Sequence, residues 1–289
     1  MDRCLYVNCP IAAFTFSSNI TSFHTSALIT DCVALGARSI TSSLPRCNGF
    51  DIGSGPDSTM RRLICTQWDY SGDADNNNGG SSFSLTVGGN SDYSYTPPTG
   101  GTHRVEDCIA YNFSKRNLEV SSAFDAAADS WSVSGLTVVG PEDDLDHMID
   151  ASAVANIGTI DGSTYWTTGT ADQSAWFERN GTNESLTAWN AAIGETNQTV
   201  SSPSYSAPGN DLETYMTAIG SGGDGYAEFM RAALDNRRGA WDWNYSAYNS
   251  LDHIRAGFDM QSTDKPAWHP DYAKPRSSLS GSFFILLGL

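Results

Sequence analysis

Cations are scarce in this 289-residue chain, with 16 Lys and Arg against 33 Asp and Glu, and three adjacent basic pairs stand out in its first half. Arg61 and Arg62 lead into one Cys-bearing apolar segment, and His103 and Arg104 lead into another. Lys115 and Arg116 follow it at a turn. A guanidinium or ammonium can neutralise a carboxylate, and a suitably placed basic side chain can take a proton. The plainer reading ties each pair to a neighbouring Asp. Asp69, Asp73 and Asp75, with Asn76 to Asn78, gather the oxygen donors that a hard cation such as Ca2+ prefers. Their spacing is not that of an EF-hand, because the closing Glu is missing and Gly79 and Gly80 come too late. An ion-free Asx-turn loop fits the same residues. Asp51, Asp69 and Asp107 offer carboxylates for general acid and base work, although Asp31 and Asp107 share a repeat phase that suits structure. Eight Trp and twelve Tyr provide flat apolar surfaces, among which Trp68 beside Asp69 is a candidate platform for a sugar ring. No Ser-His-Asp signature, phosphate loop or dinucleotide glycine pattern is present.

These residues need elements to hold them, and composition limits the choice. Hydrophobic residues make up 39% and charged residues 17%, with 27 Gly and many Ser, Thr and Asn, a profile of strands and turns. The net charge of −17 repels phosphate backbones and argues against a nucleic-acid partner. No apolar run approaches the roughly 18 residues that a membrane helix needs, and the apolar end from Ser282 to Leu289 is too short. Cys4, Cys9, Cys32, Cys47, Cys65 and Cys108 show no C-x-x-C spacing, so buried thiols are expected in place of a zinc site. No signal peptide is visible. Strand-like, Cys-bearing sequence follows Met1 at once, so further coils are expected upstream.

A degenerate repeat organises the chain. Thr30-Asp-Cys-Val-Ala-Leu-Gly36, Leu63-Ile-Cys-Thr-Gln-Trp-Asp69 and Glu106-Asp-Cys-Ile-Ala-Tyr-Asn112 each set a Cys before a turn. Each is followed by a second strand-like stretch, and Ser130 to Gly140 alternates apolar and polar residues cleanly. The Cys-to-Cys intervals are 33 and 43 residues, as when constant strand cores carry loops of varying length. A β-sandwich also has short strands, but a motif returning at the same phase fits stacked coils better. Insertions such as 69–80 and 88–101 would then project from one face. Apolar residues at helical spacing recur in 211–219, 225–234 and 245–258. The expected organisation is an all-β parallel solenoid over 1–204, a helical terminal segment over 205–275 and an apolar tail over 276–289.

Asn48-Gly-Phe-Asp-Ile-Gly53, Arg61-Arg-Leu-Ile-Cys65, Gly72 to Gly79, and Glu106 to Asn112 with Arg116-Asn-Leu-Glu-Val120 carry a resemblance. The chain resembles the coils of pectate-lyase-like, right-handed parallel β-helix proteins, bacterial polysaccharide lyases in particular. Ser163 to Trp166, Trp176 to Asn180 and Ser185 to Gly194 look like late coils of that family, and 211–258 is similar to a terminal helical segment found in some members. The resemblance covers most of residues 3–258. It implies a secreted or cell-surface protein that meets an extracellular polysaccharide and cleaves a uronate polymer by β-elimination, with Ca2+ as a candidate cofactor. On that reading Lys115, Arg116, Arg61, Arg62, His103 and Arg104 are the catalytic candidates, Asp51 and Trp68 contact substrate, and Asp69, Asp73 and Asp75 hold metal. One departure stands out: some such lyases place a Lys base in a Gly-Phe-Lys-(Leu/Val)-Gly context, where this chain has Asp51. The alternatives are a carboxylate hydrolase of the same fold and a non-catalytic glycan-binding adhesin, surface or virion spike protein.

Overall fold

The computed structural model describes residues 2–7, 12–16, 26–36, 48–53, 57–66, 81–86, 101–112, 116–120, 130–140, 147–151, 157–167, 173–221, 225–235 and 242–260. Strands come in a recurring triplet. β1 (Leu5–Val7), β2 (Ala12–Phe16) and β3 (Ala27–Thr30) are followed by β4 (Val33–Leu35), β5 (Asn48–Gly53) and β6 (Asp57–Arg61). Next come β7 (Ile64–Thr66), β8 (Ser81–Thr86) and β9 (Thr102–Glu106), then β10 (Ile109–Tyr111), β11 (Arg116–Val120) and β12 (Ser130–Ser134). β13 (Thr137–Gly140), β14 (His147–Ala151) and β15 (Ile157–Asp161) precede β16 (Thr164–Thr167) and β17 (Phe177–Arg179). Each member of the triplet joins its own sheet: β1-β4-β7-β10-β13-β16 in the first, β2-β5-β8-β11-β14-β17 in the second, β3-β6-β9-β12-β15 in the third. The pairing is parallel from rung to rung. This is the parallel β-helix expected from the repeat.

Alternation explains how each rung buries one side. In the second sheet Phe50, Phe83, Leu118, Ile149 and Phe177 lie in register and are fully buried. Phe50 and Phe83 stack at 6.1 Å with a 13° interplanar angle. In the first sheet Ala34, Cys65, Ala110, Val138 and Tyr165 form the inward column. The three repeat cysteines therefore do not share one column. Cys65 faces Ala34 and Ala110, and Leu63 holds the place that Cys32 and Cys108 hold on their own rungs. The middle segment is displaced by two residues, and because side chains alternate with period two, every inward residue stays inward. Cys32, Cys65 and Cys108 are fully buried. Burial pushes the Cys65 thiol well up and the Cys108 thiol to about 12.

Between the third and first sheets the chain turns on one left-handed residue per rung: Asp31 (φ 56°), Arg62 (φ 51°), Asp107 (φ 52°), Gly135 (φ 63°) and Gly162 (φ 68°). Their amides donate to the next rung, for example Arg62 N to Glu106 O at 2.9 Å and Asp107 N to Ser134 O at 2.8 Å. The ladder thus passes the corner unbroken.

After β17 the chain reverses into β18 (Thr182–Glu184), which pairs antiparallel with β17. It then enters α1 (Leu186–Ile193) and returns as β19 (Thr199–Val200) on β16. Ser185 caps α1 through Ala188 N, and Gly194 ends it in the left-handed region. Trp189 packs on Phe177 at 4.9 Å. Its indole N–H and the Tyr165 hydroxyl both donate to Glu195, at 3.1 Å and 3.0 Å.

The described residues from Ser204 to Met260 form a second compact unit together with Arg3–Leu5. It contains α2 (Leu212–Ala218), α3 (Gly225–Asp235) and α4 (Ala247–Gly257), in the segments where apolar spacing predicts helices. Asp211 and Thr214 make a reciprocal capping box on α2. Tyr215 meets Phe229 edge-on at 6.0 Å. Among the described residues no helix is long and apolar enough to cross a membrane.

Candidate functional site

The second sheet carries a polar row on the side opposite its apolar stack. Register places Asp51 beside Ser84, Ser84 beside Glu119, Glu119 beside Asp150, and Asp150 beside Glu178. Successive members are about 4.8 Å apart, the spacing of hydrogen-bonded strands. Ser81, Arg116 and His147 lie in register three residues earlier on their strands.

Arg116 is the cation of this face. Its Nε stands 3.5 Å from Asp150 Oδ2 and its Nη1 stands 4.0 Å from Glu119 Oε1, with the side chain 28% exposed. The Ser81 hydroxyl fixes Glu119 by donating to its Oε2 at 2.5 Å. On the neighbouring rung His147 Nε2 lies 3.1 Å from Asn183 Oδ1 and 3.7 Å from Glu178 Oε2. One potential ligand atom from each of His147, Asp150 and Glu178 falls within 4.8 Å of the others. Asp150 is 6% exposed. Burial and, after it, repulsion from Glu178 raise its carboxyl above the ordinary range, and Arg116 only partly offsets this.

The basic pairs of the sequence separate in the fold. Arg61 Nε donates to Glu106 at 2.6 Å, and Arg62 grips Asp31 at the corner with two nitrogens, at 2.8 Å and 2.5 Å. His103 is fully buried and shares a 2.6 Å hydrogen bond with Ser58 across the third sheet, whereas Arg104, one residue on, is partly exposed. The two pairs are offset along the third sheet: Arg104 pairs in register with Thr59, and Arg61 with Glu106. Arg116 stands on the second sheet, in the same sheet as Asp51. Lys115, Trp68, Asp69, Asp73 and Asp75 lie outside the described residues.

His147, Asp150, Glu178 and Asn183 were not singled out from the sequence. His147-Met-Ile-Asp-Ala151 is a poor strand by propensity. The one available signal is a lone acid between apolar residues, repeated in Leu118-Glu-Val120 and Ile149-Asp-Ala151.

Compared with known proteins, the chain matches no family model, no curated protein and no solved structure. The fold and the row together define a parallel β-helix with a cluster of ionisable groups on one sheet.

Proposed function

We propose that this chain is a carbohydrate-active β-helix protein of the pectate-lyase-like kind, which cleaves a uronate-containing extracellular polysaccharide by β-elimination on its second sheet. One observation carries the reading: Arg116 is a partly exposed guanidinium held in place by two carboxylates at the centre of a polar face. Elimination next to a uronate carboxylate requires positive charge on that carboxylate and a base at the neighbouring carbon. Arg116 supplies the charge, and Lys115, adjacent in sequence, is the candidate base. Asp51, on the same outer row, is the candidate contact for a polymer lying across the rungs. A saccharide chain suits such a face because its subsites repeat as the rungs do.

A second reading, hydrolysis, rests on Asp150 and Glu178. Their oxygens lie within 4.8 Å, near the carboxylate separation of retaining glycosidases, and burial raises the Asp150 carboxyl above its ordinary range.

The test is incubation with a panel of polyuronates and neutral glycans, following the ultraviolet absorbance of unsaturated product alongside reducing ends. Elimination raises both signals. Arg116→Ala and Lys115→Ala should each lower the rate by about 100-fold or more, the scale of losing a charge-stabilising donor. Reducing ends without absorbance select hydrolysis. Silence in both, with retention on an immobilised glycan, selects the non-catalytic binder.

A further inference from the structure

We propose that His147, Asp150 and Glu178 bind a first-row divalent metal ion of the Mn2+ or Zn2+ kind. This rests on their own geometry and stands whichever glycan reaction the protein performs. The three residues come from adjacent strands, and one potential ligand atom from each lies within 4.8 Å of the other two.

The second observation is that a buried polar atom in the cluster lacks a partner. Asp150 is 6% exposed and is paired with the Arg116 guanidinium at 3.5 Å. Register sets the Glu178 carboxylate beside it, and a bound cation would relieve the repulsion between the two. His147 is 9% exposed, and its buried Nδ1 has no partner. Nε2 is the ring nitrogen that meets both Asn183 Oδ1, at 3.1 Å, and Glu178 Oε2, at 3.7 Å, and the tautomer decides which nitrogen carries the hydrogen. Two carboxylates and an imidazole are a mixed oxygen and nitrogen set. Ca2+ takes six or more oxygens and rarely an imidazole, whereas Mn2+ and Zn2+ accept both donor types.

The experiment uses the full chain, stripped with a chelator and dialysed against Mn2+, Zn2+ or Ca2+, with bound metal and melting temperature both measured. The expected result is saturable uptake of one equivalent of Zn2+ or Mn2+ with a rise in melting temperature, undiminished by an equal concentration of Ca2+. Glu178→Gln, at a side chain 23% exposed and nearly isosteric, should keep the circular dichroism of the wild type and weaken binding by about tenfold or more. Glu213→Gln on α2 should bind as the wild type does. Absence of saturable uptake, or uptake unchanged in Glu178→Gln, overturns the proposal, and so does equal competition by Ca2+. Because the readout is metal and not turnover, a protein that binds Zn2+ but cleaves no glycan refutes the function proposed above and leaves this site standing.

Discussion

Arg62 occupies a left-handed backbone position that Asp or Gly fills on neighbouring rungs, while its guanidinium holds Asp31, a side chain 3% exposed. Left-handed backbone costs a side-chain-bearing residue about 1–2 kcal/mol, so the ion pair has to offset that strain. Arg62→Ala keeps the strain and takes the guanidinium from a buried carboxylate to which Thr30 Oγ1 still donates. It should lose about 2–3 kcal/mol in urea unfolding, below the usual figure for a buried pair because the Arg62 side chain is 37% exposed. Arg62→Gly, which relieves the backbone, should lose less, and equal losses would show that strain plays no part. Glu195 offers a pH test. Burial raises its carboxyl despite the donors around it. A raised carboxyl stabilises the fold fully below the ordinary glutamate value of 4.5, and that contribution fades as pH rises through the raised value. Wild type should therefore gain stability relative to Glu195→Gln on acidification from neutral pH, as read from unfolding midpoints, and a flat difference would contradict the shift. Little at this scale could be read from the linear chain. Asp150 and Glu178 are 28 positions apart, and only rung register makes them neighbours. Arg61, Arg62 and His103 do stand out as rare basic residues, but their partners Glu106, Asp31 and Ser58 are set by strand pairing that no local pattern announces.

Among the elements, strands were legible where alternation is clean, as in β12, and illegible where propensity is poor, as in β14. α2 and α4 could be placed because apolar residues recur there at helical spacing, and in the fold Asp211 and Ser246 cap them. Rung packing can be tested at Phe83, stacked on Phe50 and fully buried. Phe83→Ala should cost about 3–5 kcal/mol, and Phe83→Leu considerably less, by denaturant titration. The corner can be tested at its two glycines. A methyl at Gly162 meets nothing closer than 3.9 Å, so Gly162→Ala should show backbone strain alone, about 1–2 kcal/mol. At Gly135 the methyl would also press on Asp107 Oδ1 at 2.6 Å. Asp107 is exposed and can swing aside, so Gly135→Ala should exceed Gly162→Ala only slightly. A much larger gap would mean that Asp107 is fixed.

At the scale of the whole molecule, the recurrence of the Cys-bearing segment was enough to choose a solenoid over a sandwich, because only stacking returns a like apolar segment to the same wall, although its phase slips by two residues at Cys65. The number of residues per rung was not legible, since loops of varying length carry no periodic signal. A net charge of −17 places like charges over one chain and opposes compaction. Melting temperature should accordingly rise from low to molar NaCl, as screening shortens the range of that repulsion. A melting temperature that falls with salt would mean that attractive pairs such as Arg62 with Asp31 outweigh it.

The two-residue displacement that brings Cys65 opposite Ala34 has a consequence for how such a chain can change its length. Gaining or losing an even number of residues ahead of Ile64 trades one core occupant for another and leaves the wall sealed. An odd number turns the rung inside out, presenting its charged residues to the interior. Tolerance to insertion along these strands should therefore follow parity more closely than size.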